Sequence, residues 1–252
     1  MKIFDTHCHL QSDVFTDTGK EISDAKNAGV VKLLNNAVSI TGWKEVIAIS
    51  ESHNEVLSAI GIHPYYIDRD VKSIESEIKL LDFSKCRAIG EIGLDIKKST
   101  TPIETQIEVF ELFLELSHEL KIPCSVHCVS AFDELISCLK KFKQHPPVII
   151  HGFSGSIDLA RSLSKFGCFF SIGEAVKNRS LRKISEMLNF IYPSLMMFES
   201  DSPGNKITGE NTHIMRPCFI ADYPDLTSKI INIPSEEIAV RTFSLSLDIF
   251  GD

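Results

Sequence analysis

Residues 2–9 read Lys2-Ile3-Phe4-Asp5-Thr6-His7-Cys8-His9, an apolar start that runs straight into an H-x-H pair. In a strand, side chains two apart share a face, so Asp5, His7 and His9 are expected to project together, with Ile3 just behind. Two imidazoles so placed can share one ion. Imidazole nitrogen suits zinc and other first-row divalent metals, and catalytic sites keep one coordination position open for water. The pair alone is equally compatible with two unrelated loop histidines; what raises it is the rest of the chain. Working outward, Glu91 in AIGEIGLD, His127 in PCSVHC, His151 in VIIHGFSGS and Asp201 in MMFESDSP each close an apolar run. Four histidines and two carboxylates in such positions are the inventory of a two-metal hydrolase.

The context of these residues repeats. Short apolar, β-branched runs at Val30–Asn35, Val56–Ile62, Arg87–Leu94, Cys124–His127, Val148–His151, Cys168–Ile172 and Leu195–Phe198 read as buried strands. With the first stretch the count is eight. Helical periodicity lies between them, most clearly from Pro102 to Leu120. There Thr101-Pro102-Ile103-Glu104 reads as a capping box with proline at the first helical position. Ile103, Ile107, Phe110, Phe113, Leu114, Leu116 and Leu120 form the stripe that packs on a sheet. Eight strands alternating with helices over residues 1–252 is the rhythm of a single (β/α)8 TIM-type barrel, whose sites gather at the C-terminal ends of the strands. A doubly wound open sheet is the competing fold, but it would hold the first and last strands apart and keep His7 from Asp201.

Composition fits one enzyme domain. Hydrophobic residues make up 43% and the formal net charge is -8, with no Lys/Arg stripe of the kind that tracks a long duplex. Seven cysteines without a CxxC suggest reduced, mostly buried thiols rather than a disulfide framework; Cys8 and Cys128, next to proposed ligands, are expected to turn away by alternation. No apolar run approaches the ~20 residues of a membrane span, so no membrane partner is expected, and the opening directly on a strand points to a cytoplasmic setting. No protein partner is evident. Ser202–Pro217 reads as a long loop over the barrel mouth.

Taken together, FDTHCHL at 4–10, GIHP at 61–64, GEIGLD at 90–95, IPCSVH at 122–127, HGFSGS at 151–156 and ESDSP at 199–203 resemble the TatD family of metal-dependent deoxyribonucleases. The resemblance implies two divalent metal ions (zinc, manganese or magnesium), one held by His7 and His9 and completed by Asp201, the other by His127 and His151, with Glu91 bridging. It also implies that His63 in GIHP contacts substrate. Two departures stand out. Relatives often read HxRD after the strand-five histidine, whereas here Cys128-Val129-Ser130 follow; and GEIGLD is commonly followed by an aromatic and an arginine, whereas here Ile96, Lys97 and Lys98 follow. Leu245 and Ser246 stand where an asparagine is often found.

The chemistry stands on the residues as well. Two ions about 3.5–4 Å apart can activate one water and stabilise both oxygens of an in-line displacement, with Asp201 as general base and Glu91 holding the pair. Glu199 and Asp95 are candidates for fixing an imidazole tautomer, and His53, His118, His145 and His213 read as solvated or structural. The leading expectation is a binuclear hydrolase cleaving phosphodiester bonds at DNA ends or in short single-stranded DNA. A metal-dependent deacylase or amidohydrolase on an ester or amide is the second, and a non-catalytic binding protein on the same barrel the third.

Overall fold

The structure, a computed structural model, describes residues 1–142, 145–178, 181–204 and 214–252. Eight parallel strands close into a barrel in chain order: β1 (Ile3–Cys8), β2 (Val30–Asn36), β3 (Val56–Ile60), β4 (Cys86–Asp95), β5 (Cys124–Val129), β6 (Val148–Ile150), β7 (Cys168–Ile172) and β8 (Met196–Phe198). Pairing of Asp5 with Phe198 joins β8 to β1, which excludes the open sheet. The helices α1 (Thr18–Asn27), α2 (Trp43–Ser52), α3 (Val71–Leu80), α4 (Ile103–Leu120), α5 (Phe132–Leu139), α6 (Ile157–Ser164), α7 (Ala175–Asn178), α8 (Leu181–Ile191), α9 (Tyr223–Ile231) and α10 (Ser235–Phe250) follow the strands.

Alternation sorts the strand residues into two cores. Outward-facing side chains such as Ile3, Leu33, Ile60, Ile89, Val126 and Phe198 join the helices in one large cluster. Inside the barrel, Phe4, Leu34, Leu57, Ala59, Ala88, Ile149 and Met197 form a small one, completed by Phe250 from the end of α10, whose ring lies 5.7 Å from that of Phe4. Above that layer the inward positions turn polar: Thr6 Oγ1 lies 2.6 Å from Ser171 Oγ, both fully buried.

Two strands break alternation beside the barrel mouth. On β1, Asp5 pairs with Leu33 and Cys8 with Asn35, so three steps match two on β2. After Phe4 and Thr6 face inward, this bulge turns His7 inward too. Asp5 is left on the outer face, fully buried, its carboxylate accepting from Ser200 N at 2.8 Å and Ser200 Oγ at 2.6 Å; burial pushes its pKa up to about 7 against those donors. The expectation that Asp5 shares a face with His7 and His9 is therefore wrong: strict period two does not hold across a bulge. On β4, Ile89 pairs with Cys124 and Ile92 with Val126, again three steps against two, and the extra residue brings Glu91 into the mouth. Gly93 makes the close approach of β4 to β5 feasible, since a Cβ there would lie 1.9 Å from His127 O.

The capping box does not form. Thr101 turns its hydroxyl to Pro64 O, and Pro102, extended at ψ 144°, stands outside the first turn as the residue before α4. Leu120, placed in the apolar stripe, is 38% exposed, because the buried face of α4 runs through Gln106, Val109, Phe110, Phe113, Leu114 and Ser117. Among the described residues no helix is long and apolar enough to cross a membrane. Residues 205–213 of the expected mouth loop, His213 among them, lie outside the described residues.

Candidate metal centre

Glu91 sits at the middle of the mouth, 3% exposed, and its two oxygens face different histidines. Oε2 lies 3.3 Å from His7 Nε2 and 3.4 Å from His9 Nε2; Oε1 lies 2.9 Å from His151 Nε2 and 3.3 Å from His127 Nδ1. Within each pair the ring nitrogens are 3.2 Å (His7, His9) and 3.3 Å (His127, His151) apart. That is the separation of donors bound tetrahedrally to one ion at bonds of about 2.0–2.1 Å, namely ~3.3 Å. Asp201 Oδ1 lies 3.6 Å from His9 Nε2, and His7, His9 and Asp201 form one compact set of donors, while His7, Glu91 and His151 form a second. The strands bring together every residue expected to bind metal.

The outer nitrogens decide where each lone pair points. His9 Nδ1 faces the carbonyl of Asn36 at 2.8 Å; a carbonyl only accepts, so Nδ1 carries the proton and Nε2 offers a lone pair to the centre. His127 is reversed: its Nε2 donates to Asp95 Oδ2 at 3.1 Å, leaving Nδ1 as the donor atom. His7 Nδ1 meets Ser125 Oγ at 2.8 Å. His151 Nδ1 lies 3.6 Å from Glu199 Oε1, too far for a hydrogen bond, and that oxygen accepts instead from Gly152 N at 2.6 Å, so Glu199 acts on His151 through charge alone. The residues present fit divalent metal: imidazole nitrogens and carboxylate oxygens converge, and outer acceptors fix the tautomers of His9 and His127.

His63 does the opposite. It lies past β3, which ends at Ile60, and precedes a short 3-10 turn at Pro64–Tyr66. Its Nδ1 accepts from Tyr65 N at 3.1 Å, so in the neutral ring the proton sits on Nε2, which points at Glu91 Oε1 3.5 Å away. Although His63, Glu91 and His127 are close enough to form a third donor set, this tautomer makes His63 a hydrogen-bond donor rather than a ligand. Burial lowers its pKa to about 4, so the ring is neutral near pH 7. Glu91 is held well below its ordinary pKa: burial pushes it up, but His63, His151 and His7 outweigh that.

The centre opens into a cavity of about 1170 Å³, whose lining includes Gln11, Ser39, Thr41, Tyr65, Val129 and Phe132. Among the described residues lining it there is no lysine or arginine. Lys97 and Lys98, which follow GEIGLD where relatives carry an aromatic and an arginine, are exposed and contribute their backbone N–H groups, both 2.8 Å from Asp95 Oδ1. Cys8 faces the wall, its thiol near Leu34 O; Cys128 packs against the outer core yet also borders the cavity. Sequence reasoning missed Tyr65, Ser125 and the Asn36 carbonyl. Only Tyr65, directly after GIHP, carried a signal there, for Ser125 and a backbone carbonyl have no distinguishing chemistry in a sequence.

Known proteins share this arrangement of elements. An Escherichia coli protein, described as the uncharacterized metal-dependent hydrolase YjjV, is 26% identical over 99% of this chain and 98% of its own. Its crystal structure superposes with a TM-score of 0.89 over 99% of this chain and 98% of that one, at 24% identity. A Danio rerio protein, provisionally named deoxyribonuclease tatdn3, is 28% identical over 95% of this chain and 96% of its own. The family described as TatD related DNase matches residues 4–251, and with eight parallel strands around a histidine-rich mouth the chain belongs to it, as a metal-dependent hydrolase.

Proposed function

We propose that the protein is a binuclear phosphodiesterase that removes nucleotides from DNA ends. The observation that carries this reading is Glu91, whose two oxygens each face a separate histidine pair. His7, His9 and Asp201 would hold one ion, His127 and His151 the other, with Glu91 between them. When bound, two divalent ions supply positive charge for the phosphate oxygens and acidify water. Asp201, its side chain 33% exposed against 4% for Glu91, receives the proton of the attacking water at its carboxylate. His63 donates Nε2–H toward the oxygen on which charge develops. The Tyr65, Val129 and Phe132 wall accommodates a terminal nucleotide, and the net charge of -8 disfavours a wrapped duplex. Seven unpaired thiols fit a cytoplasmic setting.

The absence of a cation among the described lining residues favours a second reading, an ester or amide substrate. Turnover separates the two. Metal-replete protein is assayed at fixed salt on end-labelled single-stranded DNA, on a closed circle of the same sequence and on a small ester, with metal content measured in parallel. The expected result is up to two ions per chain, shortening of the linear strand from an end, and a spared circle. Val129→Arg is expected to lower KM on DNA by restoring a phosphate contact. Ready ester cleavage with no DNA cleavage by either protein overturns the first reading.

A further inference from the structure

Asp95 accepts four hydrogen bonds. Oδ1 takes the N–H groups of Lys97 and Lys98, each at 2.8 Å, and Oδ2 takes the Tyr65 hydroxyl at 2.6 Å and His127 Nε2 at 3.1 Å. Gln106, 1% exposed, holds the same residue by its backbone, accepting from Asp95 N at 2.8 Å and donating to Asp95 O at 3.2 Å. Asp95 is thus fixed independently of His127 and of Tyr65. Tyr65 in turn touches both His63 and His127: its N–H sets the proton of His63, and its ring packs edge-on to His63 and to His127, centroids 4.3 and 6.1 Å apart. Two donors, Tyr65 Oη and His127 Nε2, draw on one carboxylate oxygen.

We propose that Asp95 is a positioning residue that keeps the His127 proton on Nε2, and so its lone pair on the metal side, and that the Tyr65 hydroxyl moderates this grip by sharing Oδ2. The inference rests on the metal-hydrolase reading but not on DNA as substrate. An Asp95→Asn side chain has the same shape, and its carbonyl oxygen can still accept from Lys97 and Lys98. The atom facing His127 then becomes an N–H donor. His127 must accept at Nε2, its proton moves to Nδ1, and the nitrogen aimed at Glu91 loses its lone pair. Tyr65→Phe leaves Oδ2 to His127 alone, which makes the imidazole a stronger ligand.

The test is chelator competition for cobalt(II) or zinc on the intact protein, resolving the two sites, with histidine 15N NMR of the metal-free proteins. In Asp95→Asn the site served by His127 is expected to weaken by roughly 10–100-fold while the His7, His9 and Asp201 site holds its affinity, and the His127 signal moves to the Nδ1–H tautomer. Tyr65→Phe is expected to bind the second ion at least as tightly as the parent, with unchanged His127 tautomer. Equal weakening of both sites in Asp95→Asn, or an unmoved tautomer, overturns the positioning role. Weaker binding by Tyr65→Phe overturns the moderating one. A parent that binds no metal overturns instead the reading on which both rest, and a parent that binds two ions but cleaves no DNA leaves this inference standing.

Discussion

Asp201 differs from the other site carboxylates in its surroundings. A third of its side chain is exposed to the cavity, its backbone adopts φ 52°, tolerated by aspartate better than by most residues, and its N–H is anchored on His7 O at 2.9 Å. These features present a carboxylate to an incoming water without burying it. Asp201→Asn is expected to keep the melting temperature of the metal-free protein and to lower kcat by the ~10²–10⁴-fold associated with a lost general base; turnover within a few-fold of the parent at saturating metal would remove Asp201 from the mechanism. The residues that converge at the mouth were legible in the sequence because histidine, aspartate and glutamate at the ends of apolar runs have few other reasons to be there. Which nitrogen of each ring faces inward was not legible. That is set by partners such as the Asn36 carbonyl and the Tyr65 amide, which come from other strands and turns.

At the scale of elements, the two bulges do what alternation cannot: they give β1 and β4 successive inward residues, Thr6 and His7 on the one, Gly90 and Glu91 on the other. Strand existence and order could be read from the apolar runs, but an extra residue in one partner leaves no mark in composition, which is why Asp5 was misplaced. The same applies to α4, whose periodicity was visible while its cap was not, since the partner of Thr101 is Pro64, 37 residues away. Gln106 ties this helix to β4. Replacing it by leucine is expected to fill the space yet strand the Asp95 N–H and C=O and the Thr101 C=O, costing at least ~2 kcal/mol in denaturant unfolding; a loss below about half a kcal/mol would show that water replaces the amide.

Across the whole molecule, the proposed ligands come from five strand ends that meet only when the barrel is closed, so metal binding is expected to couple to global stability. At metal 100-fold above its dissociation constant one site adds about 2.7 kcal/mol, and chelation is expected to lower the melting temperature by roughly 5–10 °C, read by calorimetry with and without chelator. Salt probes the other long-range property. With no described cation lining the cavity, KM on a short DNA is expected to rise less than about tenfold between 50 and 200 mM salt, against the ~10³–10⁵-fold affinity loss of proteins making 6–10 phosphate contacts; a steep slope would point to a cationic surface outside the cavity. Closure itself was legible, because His7 and Asp201 could serve one ion only if the first and last strands met.

Phe250, carried by the last helix into the ring of inward residues around Phe4, gives the barrel a floor. The centre is therefore the bottom of a cup rather than a station along a tunnel. A polymer cannot be drawn through it: whatever reaches Glu91 arrives by the rim and leaves by the rim. For a chain-shaped substrate, only an end or a sharply bent segment can reach the centre, and a fragment leaves through the opening by which its parent entered.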